Sequence, residues 1–181
     1  MGQQINQKTL VFIKPDAMAR NLAGEIIARF QRVGLKIINC KMMWADKKLA
    51  EAHYPVTDEW LVGVGNHTLD DCKRYGYEAK EVVGTDDPKE IGHLIHRYNQ
   101  EMLLSGPVLA MVLEGSHAVE VVRKLVGHTI PILAAPGTIR GDYSNDSSIV
   151  ANPQKRTIYT LVHASGTPEE AEREITLWFG K

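Results

Sequence analysis

The sequence predicts an α+β sandwich in which a four-stranded antiparallel sheet is covered by helices. Four short apolar runs have the composition of buried strands, and stretches with apolar residues at helical spacing separate them. Glycines and turn-forming residues end most of these stretches. With 181 residues and 44% hydrophobic content, the chain can form one domain with a substantial core.

The first part of the chain contains two predicted strands and two predicted helices. Residues 8–13 form a short β-rich run, and residues 35–44 form a second one. Between them, apolar side chains recur at helical spacing over residues 22–33, which predicts an amphipathic helix. Residues 47–54 are predicted to form a short helix.

The middle of the chain is less regular. Residues 55–87 combine mixed polar residues with turn signals, and we expect no regular structure there. Residues 88–104 have a helical pattern, and residues 107–115 are an apolar run that predicts the third strand. Residues 117–127 are predicted to form a helix that ends on a glycine.

The last third begins with a long loop, residues 128–156, which is rich in Pro, Gly, Asn and Ser. A structureless loop of that length is uncommon in a compact domain and usually has a function. Residues 156–163 are predicted to form the fourth strand. The final helix is predicted from Thr167 to Trp178, with Glu170 completing a capping box.

The predicted order is β-α-β-(α)-β-α-β-α, without an internal repeat. Four strands with helices packed on one face form a ferredoxin-like sandwich. We therefore expect a single domain over residues 1–181, with no further domain boundary.

Charge and cysteine content narrow the class of partner. The 21 basic and 22 acidic residues nearly balance, which argues against nucleic acid or an anionic membrane as a partner. Cys40 and Cys72 have neither metal-type spacing nor a disulfide framework, so we expect a reducing, cytoplasmic location. The first residues lack the apolar core of a signal peptide, and no run is long enough to span a bilayer.

Basic residues stand at the end of one predicted strand and around the long loop. Lys14 ends the first strand, Arg123 lies on the helix before the loop, and Arg140 lies within it. Each alone is more often a solvated surface charge. If the strand ends and the loop converge at one edge, these cations would suit a polyphosphate, because arginine binds phosphate bidentately and lysine as a point charge.

One histidine, His163, ends the fourth predicted strand. Alone it is more often structural than catalytic, but a neutral imidazole can attack phosphorus. Glu174 on the following helix can face back toward this ring. The sequence has neither the GxxxxGK[ST] nor the GxGxxG pattern. A zinc site is conceivable but matches no common spacing; its ligands would come from His67, Cys72, His93 and His96.

Several sequence blocks closely resemble the nucleoside diphosphate kinases. They are KPDAMARNLAGEIIARF, SGPVLAMVLEG, VRKLVG, APGTIRGD and AEREITLWF. The resemblance implies a ferredoxin-like fold and a ping-pong reaction in which ATP, as its Mg²⁺ complex, phosphorylates a histidine. A nucleoside diphosphate then takes the phosphoryl group.

The resemblance also implies roles for individual residues. His163 resembles the phosphorylated nucleophile, and Ser165 and Glu174 resemble the residues that orient its ring. Lys14 resembles the lysine that contacts the transferred phosphate and the sugar. The remaining nucleotide-binding positions implied by the resemblance are Tyr54, Arg123, Thr129 and Arg140.

The sequence departs from the family pattern in two inserted segments, at about 55–104 and 143–159. In the first, Trp60 is our candidate for the aromatic residue that stacks on the base; alternatively, it only anchors the insertion. We expect this segment to pack over the nucleotide site or at a subunit interface. In the family an asparagine three residues before the histidine contacts the ribose, and here Thr160 stands at that position. Asn145 or Asn152 could replace it.

Two other functions remain as alternatives. The chain could be a nucleotide-binding regulatory relative whose insertions have altered catalysis. It could also be an RNA-binding sandwich, although the predicted central strands offer almost no exposed aromatic residues. The family resemblance further implies a homo-oligomer, a tetramer or hexamer built from dimers, and Mg²⁺ that is bound with the nucleotide.

Overall fold

The sheet has four antiparallel strands in the spatial order β2-β3-β1-β4, in a computed structural model that describes residues 5–54 and 56–180. The N-terminal residues weighed above for a targeting signal lie partly outside this description, as does Pro55 at the start of the first inserted segment. The strands are β1 (Asn6–Ile13), β2 (Lys36–Trp44), β3 (Pro107–Ser116) and β4 (Val162–Ala164).

Ten α-helices and two 3₁₀ turns connect or cover these strands in the described part of the chain. The helices are α1 (Pro15–Met18), α2 (Ala23–Arg32), α3 (Lys47–His53), α4 (Asp58–Tyr75), α5 (Ala79–Val82), α6 (Pro88–Leu104), α7 (Ala118–Val126), α8 (Ile139–Tyr143), α9 (Ser148–Ala151) and α10 (Pro168–Phe179). The 3₁₀ turns are Pro131–Leu133 and Asn152–Gln154. Within the described residues, no helix is both long and apolar enough to cross a membrane.

Helices cover both faces of the sheet, so the prediction of helices on one face was wrong. Val11 and Ile13 of β1 point to a core formed with α2 and α7. Leu10 and Phe12 point to the opposite core, which includes Trp178 of α10. Because both faces are buried in the C-terminal half of β1, residues 10–13 form a continuous apolar run and do not alternate. The strand order and antiparallel pairing confirm the ferredoxin-like sandwich.

The segment predicted to be irregular, 55–87, is largely helical. Thr57 caps the N-terminus of α4 by accepting a hydrogen bond from the N–H of Trp60, and Gly76 ends the helix with a left-handed φ of 73°. Gly63 and Gly65 weakened the helical signal in the sequence. Gly65 is required by packing, because a Cβ there would lie 1.9 Å from the carbonyl oxygen of Pro88 on α6.

The fourth strand is shorter than predicted. Only Val162–Ala164 pairs with β1, whereas residues 156–161 form no strand. Leu161 has a φ of +68°, which turns the chain before the strand begins. The long loop predicted over residues 128–156 contains α8, α9 and both 3₁₀ turns, so it is ordered by short helical pieces.

The close approach of α4 and α6 leads to a prediction about two glycines on one helix. We expect Gly65→Ala to lower the free energy of unfolding by about 1–3 kcal/mol, because its Cβ meets backbone atoms of Pro88. Gly63→Ala, which has open space at that position, should raise it by about 0.5–1 kcal/mol. Urea denaturation measures both values. Equal effects of the two substitutions would contradict the close packing.

Candidate active site

A cleft of about 560 Å³ lies where the C-terminal end of β1 meets β4. Most of the residues predicted from the sequence line this cleft; they are Lys14, Tyr54, Trp60, Arg123, Thr129, Arg140, Thr160 and His163. Ser165 and Glu174 do not line it and lie behind His163, where both are buried. The fold thus brings together residues that are far apart in the sequence.

The imidazole of His163 is held by β4 and by two contacts. In the sheet register His163 lies opposite Phe12, and the two rings stack with centroids 4.7 Å apart and an interplanar angle of 17°. Its Nε2 lies 2.8 Å from Oε2 of Glu174 on α10. The hydroxyl of Ser165 donates to the same carboxylate oxygen at 2.7 Å. These contacts fix both the position and the rotation of the ring.

A second histidine, His53, packs behind this pair and was not predicted from the sequence. Its Nδ1 accepts a hydrogen bond from Nε1 of Trp178 at 3.3 Å and lies 3.6 Å from Oε1 of Glu174. Its ring meets that of His163 edge to face at 4.4 Å. Its position directly before Tyr54 was the one signal in the sequence that could have indicated it.

Burial keeps the ring of His163 neutral. The pKa of His163 is lowered from its usual value to about 3, mainly by burial; the carboxylate of Glu170 opposes this effect, and the cations Lys14, Arg140 and Arg123 add to it. Burial also raises the pKa of Glu174. A neutral ring carries one proton, and the contact with Glu174 assigns it to Nε2. Nδ1 therefore keeps its lone pair.

Lys14 leaves β1 directly into the cleft. Its Nζ donates to the hydroxyl of Thr160 at 3.0 Å, and only 5% of the residue is exposed. Burial lowers the pKa of Lys14, an effect that Asp16 opposes and Arg140 adds to. Asp16 also accepts a hydrogen bond from the N–H of Leu161 at 3.0 Å, which holds the turn before β4 against β1. Asp16 was not predicted as a site residue.

Arg140 on α8 is buried, and backbone carbonyls occupy most of its donors. Its guanidinium donates to the carbonyl oxygens of Thr160 at 3.0 Å, Val162 at 2.8 Å and Gly127 at 3.2 Å. It therefore ties the chain before β4 to the turn after α7 while its charge faces the cleft. Burial lowers the pKa of Arg140 to about 10, and Arg123 adds to this effect. Arg123 itself is exposed and free to meet a ligand.

The opposite wall of the cleft is formed by α4. Trp60 lies in its first turn and meets His96 edge to face at 5.9 Å. Val64 and Thr68, farther along the same helix, also line the cleft. Residues of the segment that we expect to be the first insertion therefore lie against this cleft.

Residues 143–159, which we expect to be the second insertion, close the remaining side. The hydroxyl of Ser148 donates to Asp71 of α4 at 2.6 Å, and the hydroxyl of Thr157 donates to Asn99 of α6 at 2.5 Å. Of the two asparagines considered for this segment, Asn152 lines the cleft. Asn145 is exposed and is not part of the cleft wall.

The residues considered for zinc, His67, Cys72, His93 and His96, form no metal-binding group among the described residues. The one group there with ligand atoms within 4.8 Å of one another is His53, His163 and Glu174. Two imidazoles and a carboxylate that are already engaged with one another explain this cluster without an ion.

Comparisons with known proteins agree with this geometry. A model of the nucleoside diphosphate kinase family matches residues 7–60 and 88–181. A nucleoside diphosphate kinase of Pyrobaculum aerophilum is 50% identical over 173 residues, which are 96% of this chain and 94% of the relative. A crystal structure of an NDP kinase from that organism has a TM-score of 0.90 at 49% identity and covers 96% of each chain.

A structure from Borrelia burgdorferi is also similar. It is a transition-state mimic of nucleoside-diphosphate kinase with bound vanadate and ADP. The TM-score is 0.75 at 36% identity, and the match covers 98% of this chain and 89% of that one.

The buried histidines predict how stability depends on pH. The pKa of His53, like that of His163, is lowered to about 3, mainly by burial. Below about pH 6.5 these two histidines are protonated in the unfolded chain but stay neutral in the folded chain, so acid favours unfolding. The free energy of unfolding should therefore fall as the pH drops from about 6.5 toward 3, by up to about 1.4 kcal/mol per pH unit for each histidine.

The variant His53→Asn tests this directly, because it removes one of the two titrating rings and keeps an acceptor for Trp178. Urea denaturation at about pH 7, 5.5 and 4.5 should give a shallower pH dependence for the variant than for the wild type. Carboxylates titrate in both proteins, so the difference isolates His53. The same dependence in both would contradict a neutral, buried His53.

Proposed function

This chain belongs to the nucleoside diphosphate kinase family, and we propose that His163 is the residue that carries the phosphoryl group in its reaction. The enzyme transfers the γ-phosphate of ATP to a nucleoside diphosphate in two steps, with a phosphohistidine between them. The observation that carries this assignment is a neutral imidazole, held by Glu174, in a cleft lined by cations.

In the first step Nδ1 of His163 attacks the γ-phosphorus. An N–P bond forms, the bond to the oxygen bridging the β- and γ-phosphates breaks, and ADP leaves. In the second step, a terminal phosphate oxygen of the acceptor diphosphate attacks the phosphorus. A P–O bond forms, and the N–P bond to His163 breaks. Glu174 and Ser165 hold the Nε2–H side of the ring, so that Nδ1 is already oriented for attack.

The cations of the cleft neutralise the phosphates. Lys14 and Arg140 are held in place by Thr160 and by backbone carbonyls, so they need little reorganisation when the nucleotide binds. Arg123 and Thr129 are exposed and can close on the phosphates from the outer side. Phosphoryl transfer needs mainly positioning and charge neutralisation, which this arrangement supplies. The vanadate and ADP bound by the Borrelia relative support a site for the transferred group and a nucleotide together.

The nucleoside lies against α4. Trp60 stacks on the base, and Tyr54 lies between it and the phosphates. Thr160 positions Lys14, because its hydroxyl accepts a hydrogen bond from the ammonium group of that lysine. Stacking depends little on which base is present, so this part of the site favours a broad range of nucleotides.

Mg²⁺ arrives with the nucleotide. This ion prefers oxygen ligands and keeps several waters, and the phosphate oxygens of ATP satisfy it. The phosphate end of the cleft presents Lys14, Arg123 and Arg140, which suit the phosphates and not a second cation. The ion adds charge neutralisation at the phosphates when it is bound.

The assembly and the location are further parts of the proposal. The chain forms one domain, with insertions at about 55–104 and 143–159, and assembles into a homo-oligomer. Support for assembly comes from β2, an edge strand that exposes Ile38, Met42 and Trp44. A cytoplasmic location is supported by Cys40 and Cys72, which are both free, as expected in a reducing compartment.

The central experiment is labelling with ATP that carries ³²P at the γ-phosphate, without an acceptor. The wild type should take up acid-labile, base-stable label, as a phosphohistidine does, and should pass it to GDP, CDP and UDP. His163→Ala should take up none, because it lacks the nucleophile. His93→Ala, which removes an exposed histidine outside the cleft, should behave as the wild type.

Two results would contradict the proposal. Label that persists in a folded His163→Ala variant would place the phosphoryl group on another residue. A folded wild type that binds ADP but takes no label would favour the regulatory relative considered as the alternative function.

A further inference from the structure

Asn152 is a buried polar residue whose side chain has no partner in the described structure. Its exposed fraction is 4%, and neither its carboxamide oxygen nor its carboxamide nitrogen makes a hydrogen bond. The residue lines the cleft described above. Buried polar groups in folded proteins are almost always paired, so an unpaired carboxamide at the wall of a binding cleft indicates a ligand group as the partner.

The surroundings of Asn152 hold its backbone in place. It follows α9 directly and opens the 3₁₀ turn that ends at Gln154, where its carbonyl accepts a hydrogen bond from the N–H of Lys155 at 2.9 Å. On either side, the bonds from Ser148 to Asp71 and from Thr157 to Asn99 anchor the segment to α4 and α6. The backbone at Asn152 is therefore a fixed support. The carboxamide oxygen and nitrogen each expose less than 1 Å², so the side chain would rotate toward the cleft to meet a ligand.

The position along α4 shows which part of a nucleotide Asn152 would meet. Helix α4 begins near His53 and Tyr54, close to His163, and Trp60 lies in its first turn. Asp71, the partner of Ser148, lies about three turns farther, or roughly 16 Å along the helix. The segment runs from this anchor back to Thr157, whose partner Asn99 lies one turn from His96 and thus near Tyr54. Asn152 follows Ser148 by one helical turn, so it lies nearer the Asp71 anchor, beyond Trp60.

The chemistry of the two ends of the cleft also indicates that Asn152 would meet the base and not the phosphates. At the phosphate end, Lys14, Arg123 and Arg140 supply positive charge, and a neutral carboxamide adds little there. The ribose hydroxyls, which both donate and accept, lie between the phosphates and the base, and the base at the far end presents a hydrogen-bond donor beside an acceptor along one edge. A carboxamide has the same pair, one donor group and one acceptor.

We propose that Asn152 hydrogen-bonds the edge of the base while Trp60 stacks on its face. This inference rests on the proposed function, because it takes the bound ligand to be a nucleoside diphosphate or triphosphate. The carboxamide can rotate by half a turn and exchange its donor and acceptor. It can therefore pair with the edges of adenine and cytosine in one orientation and with those of guanine and uracil in the other. Asn152 thus adds affinity for the base without excluding any of the four.

The test is the isosteric variant Asn152→Asp, which replaces the donor by a second acceptor. Guanine presents two adjacent N–H donors on one edge, and the other bases present one beside an acceptor. The variant should therefore favour GDP over ADP, CDP and UDP by about tenfold relative to the wild type, the effect of one good hydrogen bond gained or lost. Asn145→Asp is the matched control: it makes the same chemical change at an exposed residue of the same segment, and its base ranking should equal that of the wild type.

Two measurements are compared for each protein and base: the dissociation constant of the diphosphate by calorimetry, and kcat/KM for its phosphorylation. The 2′-deoxy diphosphates are included. An altered base ranking in Asn152→Asp, with unchanged ribose-to-deoxyribose ratios, supports the proposal. An equal loss for all bases with altered ribose-to-deoxyribose ratios would assign Asn152 to the sugar and overturn it.

An unchanged ranking together with lower thermal stability would make Asn152 a structural residue and would also overturn the proposal. Labelling of His163 in the wild type separates this failure from that of the proposed function. If the label forms and the base ranking does not change, only the role of Asn152 is wrong.

Discussion

The hydrogen bond between His163 and Glu174 joins the parts of the fold that form the site. It connects β4 to α10, and through Glu174 it also reaches His53 on α3 and Ser165 beyond β4. A buried carboxylate is tolerated only where partners surround it, and this one is contacted by two imidazoles, a hydroxyl and Arg173. The same partners fix the rotation of the His163 ring, which we propose to be the reactive one. Stability and reactivity thus depend on one polar cluster beneath the sheet.

The sheet determines where the charges lie. Because β1 is central and covered on both faces, Lys14 at its end enters the cleft from the core with little freedom. Arg140 reaches the same place from α8 and is held there by carbonyl oxygens. Arg140 lowers the pKa of Lys14, and Arg123 lowers that of Arg140, because these neighbouring cations repel one another. An anionic ligand relieves this repulsion, so the arrangement favours a polyphosphate before any specific contact forms.

The two inserted segments act as one wall. The first contributes α4 and α6, which are held closely together at Gly65 and Gly92. The second crosses them and is bonded to Asp71 and Asn99. Neither segment carries the reacting groups, yet together they shape the side of the cleft that faces away from the phosphates. In the proposed function, this separation leaves the phosphate chemistry to the strand ends and lets the wall formed by residues 55–104 and 143–159 determine how the nucleoside is held.

The sequence alone predicted the sheet, five of the ten helices of the described residues and the family, because apolar periodicity, caps and motifs such as KPD and PGTIRGD are local signals. The resemblance also indicated Glu174 and Ser165 behind His163. The sequence failed to predict α4, because glycines in a sequence indicate a loop and their close contacts with α6 are visible only in the structure. It also wrongly predicted a strand over residues 156–161, where Leu161 adopts a positive φ that no local pattern indicates. His53 and the unpaired carboxamide of Asn152 emerged only from the tertiary structure, because burial and hydrogen-bond partners depend on residues distant in the chain.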